Sequence, residues 1–197
     1  MSSIRVLHLA DLHIGMENYG QIDPVTGLNG RVMDFLRRLS EVVEFALDHE
    51  VDLAIFAGDA YKTRDPNSTY RREFARRIKR LADAGIQVVL LVGNHDLPSQ
   101  ERRASSVEIF ATLGIPNVLV GNREHLHRLT TRRGEIVQVA TVPYPMRQRL
   151  LVDEEYKDKT IAELDTRVQH LMAENIQALA AEVDPSLPAI LTGHFSV

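Results

Sequence analysis

Seven side chains of metal-binding or acid–base type follow four short apolar runs in the sequence. They are Asp11, His13, Asp59, Asn94, His95, Asp96 and His194. Taken singly each is a weak signal, because an aspartate after a strand is usually a helix cap or a turn residue. Taken together they predict a ligand site, since ligands of α/β sheets bind at the carboxyl ends of the strands. We therefore expect the four strand ends to meet at one end of one sheet.

The chemistry that suits this set of side chains is phosphoester hydrolysis with two metal ions. A carboxylate can bridge two divalent ions about 3.5–4 Å apart, which hold a hydroxide and the phosphate oxygens for in-line attack. Histidine and carboxylate ligands suit manganese, iron or zinc, and Asn94 would add a neutral oxygen that lowers the negative charge of the site. A histidine that binds no metal is free to protonate the leaving oxygen. The stretch "GNHD" thus predicts Asn94 on a metal, and His95 and Asp96 as the catalytic residues, with Asp96 orienting His95.

Alternating strand and helix patterns predict the elements that position these residues. The runs "IRVLHLA", "DLAIFAG", "IQVVLLVG" and "AILTG" are typical of strands, and helical patterns span roughly residues 31–50, 68–84, 104–113 and 157–183. After Gly114 the runs "NVLVG", "HLHRL" and "GEIVQVATVPYP", with "TTRRG" as a turn, indicate an antiparallel or mixed section. Glycines stand beside three of the four strand ends. They would let the backbone turn sharply and let an ion or a phosphate approach.

Composition narrows the class of protein. With 197 residues and 44% hydrophobic residues the chain predicts one domain, and the absence of cysteine excludes disulfides and thiolate metal sites. The N-terminus has neither a signal-peptide core nor a membrane span, which predicts a cytoplasmic protein. The net charge of −4 is not that of a basic nucleic-acid-binding domain. Locally, Arg72, Arg76, Lys79 and Arg80 share one side of a predicted helix, which is either a solvated face or a phosphate contact.

The ordered motifs "DLH", "GD" and "GNHD" resemble the signature of calcineurin-like metallophosphoesterases. Within that superfamily "HLADLHIG", "VDLAIFAGDAY", "VVLLVGNHDLP" and "ATVPYP" resemble the SbcD-type DNA-repair nucleases, the bacterial counterparts of the meiotic recombination nuclease. The resemblance covers nearly the whole chain. It implies an α/β fold, a β-sandwich of two mixed sheets flanked by helices in four αββα layers.

The resemblance also implies a cofactor of two Mn²⁺ ions, with Fe²⁺, Zn²⁺ and Mg²⁺ as alternatives. Asp11 and His13 would bind one ion, Asn94 and His194 the other, and Asp59 would bridge them. His95 would be the catalytic histidine that is not a ligand.

The activity that the resemblance implies is cleavage of DNA in double-strand-break repair. The family acts as a 3′ to 5′ exonuclease on double-stranded ends and as an endonuclease on single strands and hairpins. It works with an SbcC-type ATPase and forms a homodimer through the helices after the second and third motifs. Val107, Phe110 and Leu113 are candidates for that dimer contact, although core packing explains them equally well. Arg72, Arg76 and Arg77 are candidates for DNA contact.

The family places a further "G-H-x-H" motif downstream, with one histidine for each metal. The pair His125 and His127 in "HLH" has no preceding glycine and is interpreted as part of a surface strand. We therefore expect residues 1–197 to be a nuclease domain that ends before its last metal-binding motif and lacks the capping region.

Two other functions compete with the nuclease. One is a small-molecule phosphodiesterase or phosphatase of the same superfamily. A protein phosphatase is disfavoured, because such enzymes carry Asp-Arg-Gly after "GD" and a glutamate after "GNH". The other is a non-catalytic module for dimerisation or DNA-end binding.

Overall fold

The structure is a computed structural model that describes residues 3–98, 104–145 and 159–195. Within these residues four parallel strands form a first sheet in the order β1 (Val6–Leu9), β2 (Leu53–Phe56), β3 (Gln87–Leu91) and β4 (Val118–Gly121). A second sheet contains β5 (His125–Thr130), β6 (Ile136–Val142) and β7 (Ala189–Gly193). In the second sheet β5 is antiparallel to β6, and β7 is parallel to β6. The second sheet is therefore mixed, whereas all described strands of the first sheet are parallel.

Four helices lie between the strands in the described residues, namely α1 (Gly30–Asp48), α2 (Ser68–Asp83), α3 (Glu108–Thr112) and α4 (Ile161–Ala181). The side chains of Asn29, Asn67 and Thr160 cap the N-termini of α1, α2 and α4. The predicted helix over 104–113 forms only as the short α3, because residues 104–107 run as loop and turn. Residues 157 and 158 of the last predicted helix lie outside the described residues.

The layer order follows from the two faces of the central strands, which are buried against different elements. Alternate residues of β2 and β3, such as Phe56 and Leu90, pack against α1 and α2. The intervening residues, such as Ile55 and Val89, pack against Val139 of β6. The other face of β6 is covered by α4 through Leu179 and its neighbours. The predicted four αββα layers are confirmed, and the continuous apolar runs of β2 and β3 reflect burial on both faces.

An ion pair with one buried member joins the first sheet to the turn of the second. Asp52, which precedes β2, is 0% exposed and accepts a hydrogen bond from the backbone N–H of Arg5 at 2.8 Å. The guanidinium of Arg133, in the turn between β5 and β6, makes two hydrogen bonds to the same carboxylate, with Nε donating to Oδ1 at 2.9 Å. The Asp52 charge is thus neutralised by a partner 81 positions away.

Each basic residue of α2 contacts a carboxylate, and three of them share one. Arg72, Arg76 and Arg77 contact Glu73, while Lys79 contacts Asp83. Arg71 pairs with Asp65, and Arg80 pairs with Glu44 of α1. The Arg77 guanidinium also donates to Ser40 Oγ at 3.0 Å and to the Leu36 carbonyl, so this residue joins α2 to α1 instead of facing solvent. These contacts favour the solvated-face interpretation of the basic helix over a phosphate contact.

Two of the three candidate dimer residues belong to the core. Val107 and Phe110 are 1% and 2% exposed and pack in the helix-side cluster, so they are not available to a partner. Leu113 is 67% exposed, as is Ile109 at 56%. As predicted, His125 and His127 lie on β5, an edge strand without a fully buried residue. None of the described helices is both long and apolar enough to span a membrane.

Candidate metal centre

Three of the predicted ligands have left-handed backbone conformations. Asp11, His13 and Asp59 have φ angles of 55°, 44° and 56°. Each such residue costs about 1–3 kcal/mol and persists only where its surroundings fix it. The fixing contacts here are backbone hydrogen bonds between the loops after β1 and β2, from Asp11 N–H to Gly58 O at 3.2 Å and from His13 N–H to Asp59 O at 3.1 Å. The strained loops therefore run side by side and bring these three side chains together.

The carboxylate of Asp59 lies at the middle of the site and is 2% exposed. Its Oδ2 faces the Nε2 atoms of His13 and His95 at 3.9 and 4.0 Å. Its Oδ1 faces His194 Nε2 at 3.6 Å and accepts the backbone N–H of His95 at 2.8 Å. Potential ligand atoms form two groups, His13–Asp59–His95 and Asp11–Asp59–His194, each within 4.8 Å. Asp59 belongs to both.

The His194 imidazole reaches this centre from the second sheet. Its Nδ1 lies 2.7 Å from the carbonyl oxygen of Ala57, so Nδ1 carries the proton and donates it there. The lone pair of Nε2 then faces Asn94 Oδ1 at 3.2 Å and Asp59 Oδ1 at 3.6 Å. In the neutral ring these three atoms have lone pairs and no proton between them, so they repel one another unless a cation joins them. This arrangement fits a divalent ion.

His13 supports the same interpretation. Its Nδ1 is buried without a hydrogen-bond partner in the described part of the chain, and its Nε2 lies 3.6 Å from Asp11 Oδ1. A buried histidine that served only packing would be expected to hydrogen-bond through a ring nitrogen. The donors are imidazole, carboxylate and amide atoms without thiolate, which suits manganese, iron, zinc or magnesium. The residues present therefore fit the predicted metal centre.

Asp96 does not play the predicted part of orienting the His95 ring. Its fully buried carboxylate accepts the backbone N–H groups of Asp59, Ala60 and Gly93 at 2.8, 3.4 and 3.1 Å, and the hydroxyl of Ser106 at 3.0 Å. Burial raises the pKa of Asp96, and the nearby Asp59 carboxylate raises it further, while these hydrogen bonds lower it. Asp96 thus fixes the backbone that carries Asp59.

The His95 ring is held by a backbone group instead. Its Nδ1 lies 2.9 Å from the carbonyl oxygen of Lys62, which leaves Nε2 directed at Asp59. The sequence gives no sign of this contact, because any residue at position 62 would supply the same carbonyl. Sequence order favoured Asp96 for this role only because Asp96 directly follows His95.

Two glycines make room for the site's own side chains. A Cβ atom at Gly58 would collide with the His194 ring, and one at Gly93 would collide with the Asp59 carboxylate. The glycines were expected to admit an ion or a phosphate. They in fact admit the residues that face the ion.

Comparison with known proteins identifies the fold family. The sequence profile of the calcineurin-like phosphoesterase family matches residues 4–195. The chain belongs to the calcineurin-like phosphoesterase family. The predicted resemblance to this family is thereby confirmed.

Several curated proteins that resemble the chain are named as nuclease subunits or as DNA double-strand break repair proteins. The chain is 26% identical over 202 residues to the SbcD subunit of the nuclease SbcCD of Escherichia coli K12, a match that covers 98% of this chain and 46% of that protein. It is 28% identical over 148 residues to the same subunit of Bacillus subtilis, covering 75% and 35%. It is 34% identical over 111 residues to the DNA double-strand break repair protein Mre11 of Haloferax volcanii, covering 56% and 23%. The chain therefore spans less than half the length of these relatives.

All seven predicted site residues lie in this candidate metal centre or directly beneath it, but not on one sheet as expected. The loops of the first sheet carry six of them, and His194 follows β7 of the second sheet. The sequence motifs did not single out two further residues that lie beside the centre. One is Lys62, through its carbonyl, and the other is Tyr144, whose ring is 38% exposed and lies 6.4 Å from the His194 ring. Tyr144 lies in "ATVPYP", where an aromatic residue between two prolines after a strand was a usable signal.

Proposed function

We propose that this domain hydrolyses phosphodiester bonds of DNA with two divalent metal ions, Mn²⁺ in the first place. The observation that carries the proposal is the position of Asp59, whose two carboxylate oxygens face two different groups of donors. Asp11 and His13, whose Oδ1 and Nε2 atoms lie 3.6 Å apart, would hold one ion, and Asn94 and His194, whose Oδ1 and Nε2 atoms lie 3.2 Å apart, would hold the other, with Asp59 shared. This assignment follows the motif resemblance, whereas the groups defined by distance place Asp11 with His194 and His13 with His95. When bound, the ions would supply a nucleophilic hydroxide and neutralise charge on the phosphate.

The remaining chemistry is assigned to this chain's own residues. His95 donates from Nδ1 to the Lys62 carbonyl, so a second proton on Nε2 would point into the site and is available to the leaving oxygen. Asp96 holds the backbone of Asp59 and Gly93 and so acts as a positioning residue. The Asp96 carboxylate is already hydrogen-bonded to this backbone, so it need not move during the reaction, and such prior placement is the condition for preorganised catalysis.

The finer activity is proposed from the relatives' names and the motif resemblance. The domain would act as a 3′ to 5′ exonuclease on duplex ends and as an endonuclease on single strands and hairpins, in cytoplasmic double-strand-break repair. An SbcC-type ATPase would be its partner. A homodimer would use the groove between α2 and α3, which has a volume of about 630 Å³ and exposes Ile109 and Leu113. Residues 1–197 would lie within the nuclease domain of such an assembly.

The first experiment counts manganese ions per chain by elemental analysis after free metal is removed. Two ions are expected, with a loss of at least one in Asp59→Asn. Asp65→Asn is the matched control, because this carboxylate is 96% exposed and its one ion pair within the described residues is with Arg71. If wild type and Asp59→Asn bind equal amounts, the proposed bridging role is wrong.

The second experiment separates the nuclease from the small-molecule phosphodiesterase. Hydrolysis of a duplex with labelled 3′ ends is compared with hydrolysis of 2′,3′-cyclic AMP under the same conditions. We expect cleavage of the duplex, and a fall in kcat of about 10²- to 10⁴-fold in His95→Gln with an unchanged ion count. Preference for the cyclic nucleotide would favour the small-molecule enzyme. Metal-independent DNA binding without any hydrolysis would favour the non-catalytic module.

A further inference from the structure

Lys62 is fixed at the edge of the metal centre by its backbone. Its N–H donates to the carbonyl of Ile14 at 3.0 Å, and its carbonyl accepts from His95 Nδ1 at 2.9 Å. Ile14 directly follows the ligand His13, and the His13 and His95 rings lie edge to face with centroids 4.9 Å apart. The residue is thus held between the two loops that carry these imidazoles, and both holding contacts come from backbone atoms.

The positive charge of Lys62 has no carboxylate partner within ion-pair distance in the described residues, although its side chain is half-buried. The neighbouring acids are already engaged. Asp59 lies among three imidazoles, Asp96 is saturated by N–H and O–H donors, and Asp65 pairs with Arg71. Every basic residue described above on α2 has, in contrast, a carboxylate contact. A partly buried lysine without a counter-ion beside a hydrolytic centre is positioned for an anion that arrives from outside.

We propose that the ammonium group of Lys62 binds a phosphate of the DNA strand next to the phosphate being hydrolysed. The inference rests on the proposed function, because it takes DNA as the substrate. Lysine suits this role, since its flexible four-carbon stem places a compact charge without a fixed geometry. Lys62 therefore positions the DNA strand on the His95 side of the centre, where the leaving oxygen would be protonated. The basic residues of α2, which contact carboxylates, contribute less to DNA binding.

The test exploits the fact that both hydrogen bonds described above for Lys62 come from its backbone. Lys62→Ala keeps these backbone groups and removes the ammonium group together with its aliphatic stem, and Lys62→Arg restores a long side chain with a positive charge. Lys79→Ala is the matched control, because it removes the same charge from a residue paired with Asp83. The probe is a fluorescein-labelled single-stranded oligonucleotide with a phosphorothioate backbone, in 1 mM MnCl₂. Its affinity is measured by anisotropy between 50 and 250 mM KCl, and gel electrophoresis confirms that it stays intact.

We expect Lys62→Ala to weaken binding about three- to tenfold at 100 mM KCl and to reduce the slope of log K against log [KCl] by about 0.7. Lys62→Arg and Lys79→Ala should match the wild type, and all variants should have the same Tm. Wild-type affinity and slope in Lys62→Ala, or an equal loss in Lys79→Ala, would overturn the role of Lys62 while leaving DNA as the substrate. No binding by the wild type would overturn the DNA-directed function itself.

Discussion

The Nδ1 atom of His194 lies 2.7 Å from the carbonyl oxygen of Ala57, a residue 137 positions earlier in the chain. This hydrogen bond joins the end of β7 in the second sheet to the end of β2 in the first. It fixes the tautomer of the imidazole, so that the Nε2 lone pair is directed at Asn94 and Asp59. The contact depends on Gly58, because the ring occupies the space that a side chain there would fill.

Gly58→Ala is therefore expected to displace His194 and weaken metal binding by at least tenfold, measured by manganese titration calorimetry. Gly134→Ala is the matched control, since Gly134 has a similar φ of 83° but open space around it. Both variants should lose about 1–2 kcal/mol of unfolding free energy to left-handed backbone strain. Only Gly58→Ala should lose metal affinity, and equal affinities in the two variants would show that the His194 position does not depend on this glycine.

Asp96→Asn is expected to lower manganese affinity about 10- to 100-fold, although Asp96 touches none of the predicted ligand atoms. Its Oδ2 accepts the backbone N–H groups of Asp59, Ala60 and Gly93, and a neutral amide oxygen accepts such hydrogen bonds more weakly than a carboxylate oxygen. The NH₂ group would meet the Ser106 hydroxyl, which now donates to Oδ1, and the weakened network should also cost about 1–3 kcal/mol of stability. Calorimetry and urea denaturation measure the two effects, with exposed Asp65→Asn as the control. Unchanged affinity would mean that the Asp59 backbone is held without Asp96.

Arg133→Ala is expected to lower the midpoint of urea denaturation, because it leaves the buried Asp52 carboxylate without its positively charged partner. Arg132 is exposed in the same turn, so Arg132→Ala removes an equal charge and should change the unfolding free energy by less than about 0.5 kcal/mol. The urea denaturation midpoints of the two variants are compared at pH 7. Similar midpoints would show that the ion pair between Arg133 and Asp52 does not stabilise the domain.

Stability should fall with acid through His127. Burial, together with the nearby His125 and Arg123, lowers the pKa of His127 from 6.5 to about 4. Below pH 6.5 the unfolded chain binds a proton at this residue that the folded chain rejects until about pH 4, so stability is lost between these values. From pH 7 to pH 5 the wild type should therefore lose more unfolding free energy than His127→Gln. Parallel pH profiles of the two urea midpoints would contradict the lowered pKa.

The sequence alone was sufficient to predict the pattern of strands and helices and to single out the residues that meet at the candidate metal centre. The apolar runs of β2 and β3 and the polar residues after them are local signals, and they predicted the strands and the strand ends correctly. The position of His194 on the second sheet was missed, because which strand pairs with β6 is decided by contacts distant in sequence. The partners of Asp96 and His95 were missed for another reason. They are backbone groups, which every sequence contains.

The core positions of α3 show a similar limit. Val107 and Phe110 look the same in sequence as Leu113, since all three are apolar residues near one short helix. The fold buries the first two under α2 and leaves the third exposed. Only the packing of α3 against its neighbours distinguishes a core residue from a candidate interface residue.

The candidate metal ligands come from both sheets, and this has a consequence for the synthesis of the protein. A ribosome releases Asp11, His13, Asp59 and Asn94 long before His194, which follows the last described strand. N-terminal segments fold first during synthesis, so the first sheet can assemble while the second is still unfinished. The nascent chain would thus present only part of its metal centre until β7 docks beside β6. Assembly of this centre would then wait until His194 has left the ribosome.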